Sequence, residues 1–157
     1  MNASLLSPQA AVLSLAIGVI CALVFYLRTR LSPGGLLTPG WLAAAAIWEP
    51  RAALVVLGAS VLTFLGILIA RRYIILYGDR LLAASILLGI VLVTTWYLAT
   101  GAGPGLRPMY SFAALGLIVP GWFTYQLTRQ PVLPTLVTTG LATAVTGALL
   151  GAVVVIS

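Results

Sequence analysis

Polar side chains interrupt this chain seldom, and the apolar runs between them are long. Residues 10–27, 52–70 and 81–100 are almost purely hydrophobic, and 132–156 is broken by little more than threonine and glycine. About twenty apolar residues cross the hydrocarbon core of a bilayer as a helix, so each run predicts one crossing. Two further segments, 31–48 and 110–127, are long enough to cross but carry Pro and Gly near their middles. The pattern therefore predicts an all-α, polytopic membrane protein in a single membrane domain, 1–157. It should have about six crossings, or five if only one interrupted segment spans.

The arginines decide between these arrangements. If both interrupted segments cross, Arg28, Arg30, Arg71, Arg72, Arg80 and Arg129 fall on one side, and only Arg51 and Arg107 on the other. The positive-inside bias then makes the first side cytoplasmic and puts both termini outside. If the interrupted segments dip in and return, Arg71, Arg72 and Arg80 separate from Arg28 and Arg30, against that bias. The first apolar run has no basic residue before it, unlike a cleaved signal peptide, and is expected to be retained.

The interrupted segments also match each other. Gly35-Leu36-Leu37-Thr38-Pro39-Gly40-Trp41 aligns without a gap on Gly116-Leu117-Ile118-Val119-Pro120-Gly121-Trp122, and the register continues to Pro50 and Pro131. Pro-Gly-Trp is built from scarce residues, so a duplication is expected, with halves at about 1–78 and 79–157. Each half would contain three crossings, and an odd number inverts the second half relative to the first. Proline and glycine free backbone groups from the helix ladder, and such groups must be buried in protein or line a polar cavity. A plain kink that lets helices pack closely is the competing expectation.

Composition narrows the chemistry further. The chain is 62% hydrophobic and 6% charged with a mean hydropathy of +1.18, too little polar material to coat a soluble globule. The net charge of +6 comes wholly from arginine. These arginines are scattered between apolar runs rather than gathered on a polar face, which argues against nucleic acid. There is no His and one Cys, Cys21, so imidazole or thiolate metal sites are not expected. No phosphate loop is present, and Glu49 and Asp79 are the sole acids, far apart in sequence. The chain is expected to hold no cofactor or metal and to catalyse nothing by itself.

One connection offers binding chemistry. Arg71, Arg72, Tyr73, Tyr77 and Arg80 form a cationic and aromatic strip between the proposed halves, with Arg129 on the same side. Tyrosine and arginine at headgroup level are common anchors. Guanidinium forks also suit carboxylates, which makes the strip a candidate surface for an anionic partner or product.

Residues 35–43, 70–80 and 116–122, followed by Gln126-Leu127-Thr128-Arg129-Gln130, resemble the PgsC/CapC family. These are small membrane subunits of the bacterial poly-γ-glutamate synthase and capsule system. The resemblance covers nearly the whole chain in order and spacing. Asp79 departs from it, standing where a basic residue is common. It implies a separate Mur-ligase-like ATP-dependent amide ligase as partner, further membrane subunits, and an anionic poly-γ-glutamate product. It carries over no catalytic residue. The Pro-Gly-Trp elements would then face each other across an interior path for the polymer. An independent inverted-repeat transporter or channel, and a purely structural ligase anchor, remain the alternatives.

Overall fold

The computed structural model describes residues 8–100 and 110–156, with side chains from Ala11 to Thr100 and from Ala114 to Val153. Arg107 lies outside the described residues. Six helices follow one another: α1 (Pro8–Thr29), α2 (Thr38–Trp48), α3 (Pro50–Tyr73), α4 (Gly78–Thr100), α5 (Tyr110–Arg129) and α6 (Val132–Ile156). Among the described residues, four helices are long and apolar enough to cross a membrane: α1, α3, α4 and α6. Most of their leucines, valines and isoleucines are exposed on outward faces, while Val56, Ile67, Leu81, Val93 and Leu150 turn inward. Such exposure suits lipid and not water.

The two interrupted segments fold differently from each other, which corrects the expectation of two broken helices. In the first, 31–37 is not helical, and α2 is only 11 residues, about 16 Å. In the second, α5 runs unbroken for 20 residues with Pro120 inside it. The residues upstream of each proline explain the difference. The first segment has Ser32-Pro33-Gly34-Gly35, with Gly34 at φ 66° and Gly35 at φ 104°, where the second has Ala113-Ala114-Leu115-Gly116. Left-handed glycines after a proline unwind the chain, whereas alanine and leucine keep it helical. Pro39 consequently falls in the first turn of α2, where no donor is needed, while Pro120 deprives the Gly116 carbonyl of its helical partner.

Packing follows a pattern that the sequence comparison only partly revealed. Gly40 of α2 presses on Ser14, Leu15 and Gly18 of α1, and Gly121 of α5 presses on Ser85, Ile86 and Gly89 of α4. Ser14-x-x-x-Gly18 and Ser85-x-x-x-Gly89 are thus counterparts in the two first helices. α3 packs on α4 and α5, and α6 packs on α1 and α2. Exchanging the first three helices for the last three leaves this set of neighbours unchanged. The inward faces agree as well: Val56, Ala59, Ser60, Thr63 and Ile67 of α3 have the spacing of Thr135, Thr138, Thr139, Ala142 and Thr146 of α6, and all ten are buried.

Small residues let these backbones touch, which is how helices associate when no water is available to drive them together. Several buried hydroxyls are satisfied within their own helix: Ser60 on Val56 O, Thr63 on Ala59 O, Ser85 on Leu81 O and Thr146 on Ala142 O, all at 2.6–2.7 Å. Thr124 instead donates from α5 to the Ser60 carbonyl of α3 at 3.3 Å. Interhelical bonds of this kind average about 0.6 kcal/mol, so close packing, more than hydrogen bonding, joins the helices.

Candidate functional site

The two Pro-Gly-Trp elements meet at the centre. Trp41, 1% exposed, lies against Gly116, and Trp122 lies against Gly35. Each tryptophan covers the glycine that opens the other element. Numbers rise along one strand of this contact, 35 to 41, as they fall along the other, 122 to 116, so the two segments run in opposite directions. The indoles fill the space that the glycines leave. A Cβ on Gly116 would stand 2.6 Å from Trp41 Cζ2, and one on Gly35 would stand 2.5 Å from Trp122 Nε1. The two elements lie in direct contact, with no path between them at these residues, and the glycines serve close approach. Beside them is a cavity of about 250 Å³ lined by Val19, Leu36, Leu37, Thr38, Leu115, Ile118, Val119 and Trp122, apolar but for Thr38, which suits hydrocarbon rather than carboxylate.

The arginines gather at one end of the bundle. Gly40 sits opposite 14–18 of α1, and eight further residues carry α2 about 12 Å, back to the start of α1. Arg30 and Arg51 therefore stand at opposite ends. At the end that holds Arg28 and Arg30, the Ser32 amide donates to Gln130 Oε1 at 3.1 Å, which fixes Arg129 there too. Gln130 also takes part in bonds with Thr135 and Gln126, so a half-buried polar knot ties the entry of α2 to the α5–α6 corner. Arg129 is exposed, donates to the Tyr125 hydroxyl at 2.7 Å and lies over that ring at 5.3 Å.

α3 and α4 form a hairpin closed by 74–77, with Gly66 against Leu88. Gly121 of α5 lies against 85–89 of α4, so the eight residues from Gly121 to Arg129 retrace α4 toward Arg80. Arg71, Arg72 and Arg80 thus share the end of Arg28, Arg30 and Arg129. Every described arginine except Arg51 is there, with Asp79 as the one acid among them. Arg71, Arg72, Tyr73, Tyr77 and Arg80 are all exposed. These five residues flank the α3–α4 corner, and Arg129 shares their end of the bundle. Gly35, Pro39, Gly40, Gly116, Pro120 and Gly121 are instead buried in the core, apart from it.

Sequence reasoning missed the Ser14–Gly18 and Ser85–Gly89 pairs and the Gln130 knot. The first had a legible signal, a small residue four places from a glycine in each opening helix. The second had none, because Ser32 and Gln130 are 98 residues apart.

The family model for capsule biosynthesis CapC matches residues 17–136. The chain is 34% identical over 139 residues to the capsule biosynthesis protein CapC of Bacillus anthracis, covering 88% of this chain and 91% of that one. It is 32% identical over 119 residues to the PGA biosynthesis protein CapC of Bacillus subtilis (strain 168), covering 75% of this chain and 78% of that one. No solved structure matches. An all-helical membrane protein with this match along most of its length belongs to the CapC capsule biosynthesis family.

Proposed function

We propose that the chain is the membrane subunit of a poly-γ-glutamate synthesis and export complex. It supports a separate ATP-dependent amide ligase and the passage of the anionic polymer. The relatives are named for capsule and PGA biosynthesis. The observation that carries the reading is the gathering of arginines at one end of the bundle, beside the exposed tyrosines of the α3–α4 turn. By the positive-inside bias that end faces the cytoplasm. There an ATP-dependent enzyme works and a polycarboxylate emerges, and guanidinium groups suit both carboxylate product and acidic protein surface.

The reading places six crossings in two inverted halves, about 1–78 and 79–157, with both termini outside. The matched neighbours of the two helix triplets and the opposed run of their Pro-Gly-Trp elements support it. The closely packed centre favours a polymer path shared with further membrane subunits over a pore within one copy. The same packing also favours the second reading, an anchor that recruits the ligase and conducts nothing.

Cells that keep the ligase but lack this chain test the function. Synthesis or secretion of polymer should fall to background, and unchanged secretion would overturn the proposal. Reconstitution separates the two readings: in vesicles with the ligase outside, replacing this chain in the complex by an unrelated anchor for the ligase should abolish polymer accumulation inside if the chain contributes to passage, and preserve it if the chain only anchors.

A further inference from the structure

The unwound stretch 31–37 leaves an opening between α1 and α5. Leu36 and Leu37 stand just before α2, 48% and 45% exposed. With Val19 of α1 and Ile118 and Trp122 of α5 they wall the cavity of about 250 Å³. Val19 lies at the middle of α1 and Ile118 at the middle of α5, so the cavity sits at half depth in the bundle. Trp122 is 41% exposed, which places the opening on the outer surface, where a bilayer supplies hydrocarbon.

Both walls lead from this cavity to arginine. Leu115, Ile118, Trp122 and Arg129 fall within about 60° of one another around α5, on one face of the helix. On α1, Tyr26 lies two turns beyond Val19 on the same side, and Arg30 follows the end of the helix. The hydrogen bond from the Ser32 amide to Gln130 draws the two walls together there, beside Arg30 and Arg129. Both arginines are exposed. Of the two acids, Glu49 is at the far end of the bundle and Asp79 at the start of α4. Arg129 uses one donor on the Tyr125 hydroxyl and keeps the others.

The distances match a lipid leaflet. Eleven residues of helix from Ile118 to Arg129 rise about 16 Å, half of the roughly 30 Å hydrocarbon core. An apolar slot of that length, ending in two guanidinium groups, is complementary to an acyl chain that ends in a phosphate. A polycarboxylate, charged at every residue, has no segment that such a slot accepts.

We propose that the groove between α1 and α5 binds an anionic phospholipid, with one acyl chain against Ile118 and Trp122 and the phosphate held by Arg30 and Arg129. This lipid site goes beyond the function proposed above and stands without it.

The full chain in nanodiscs of phosphatidylcholine tests the site, with Trp122 as the reporter. A lipid brominated on its acyl chain quenches a tryptophan that it touches, and the quenching lost in Trp122→Phe is that of the groove. This part should reach half its limit at about tenfold less brominated phosphatidylglycerol than brominated phosphatidylcholine. Arg30→Gln/Arg129→Gln should abolish the preference without moving the unfolding midpoint. Arg71→Gln/Arg72→Gln/Arg80→Gln, at the same end but off the groove, should keep it, and excess inorganic phosphate should not displace the lipid. Native mass spectrometry gives a reading that does not need Trp122→Phe: phosphatidylglycerol should stay on the wild type and leave the Arg30→Gln/Arg129→Gln variant. Equal quenching by the two lipids would mean nonselective contact and overturn the site. So would equal loss of preference in both arginine variants, displacement by inorganic phosphate, or equal lipid retention by wild type and double variant. Trp122 shielded from both lipids would show a second copy of the chain in the groove, and would overturn it as well.

Discussion

At the scale of single residues, glycine decides where helices meet. A Cβ on Gly40 would lie 2.7 Å from the Ser14 carbonyl oxygen, and one on Gly121 would lie 2.5 Å from the Ser85 carbonyl oxygen. Backbone cannot yield as a flexible side chain would, so Gly40→Ala and Gly121→Ala should each destabilise the protein by about 1–3 kcal/mol. Gly58 and Gly140 have nothing within 4 Å of the same position. There alanine should be neutral or stabilising by up to about 1 kcal/mol, the helix-propensity difference. Unfolding midpoints of the four variants in one detergent would check both halves of this prediction, and equal midpoints would refute it. Leucine at Gly40 or Gly121 would report on folding and not on conduction. Gln130 makes a second residue-scale case. Gln130→Ala removes the acceptor of the Ser32 amide and should cost about 1–3 kcal/mol, because that amide is left partly buried without a partner.

At the scale of elements, two segments that share Gly-x-x-x-Pro-Gly-Trp adopt different backbones because of the residues just before the proline. Pro33 and the left-handed Gly34 and Gly35 unwind 31–37, and the unwound stretch brings Gly34 under the Phe123 ring. Rewriting Pro33-Gly34 as Ala-Leu, the residues of the second segment, should raise helical content by circular dichroism. It should also lower the unfolding midpoint, since leucine at φ 66° is strained and meets Phe123 Cε2 at 2.7 Å. A rise in both quantities would show that local propensity, not the contact with α5, sets the unwound form. The α3–α4 turn lies at the other extreme, with Ile74, Ile75 and Tyr77 exposed and Leu76 half-buried.

At the scale of the molecule, the consequence to test is the separation of charge between the two ends. With Cys21 buried and the bundle end-to-end as described, single cysteines at Arg30 and Arg51 should label from opposite faces of the membrane. An impermeant maleimide added to intact spheroplasts should reach Arg51→Cys and not Arg30→Cys until the membrane is permeabilised. Labelling of both from one face would remove the six-crossing arrangement and the proposed cytoplasmic ligase surface together. It would leave the family membership intact, since that rests on the sequence match.

The long apolar runs, their helical form and the need for a bilayer were readable from the chain directly, because hydrophobicity over twenty residues is a local quantity. The pairing of Pro39-Gly40-Trp41 with Pro120-Gly121-Trp122 was readable too, as a coincidence of rare residue types. What they do to each other was not. Close approach of Gly40 to α1, the cover that each tryptophan provides for the opposite glycine, and the knot at Gln130 all join residues distant in sequence. Only the folded packing could decide whether the freed backbone met neighbouring helices or a polar cavity. The same holds for the arginines: their spacing suggested one side of a membrane, but their gathering at one end of the bundle depends on how far α2 climbs along α1 and where Ser32 meets Gln130.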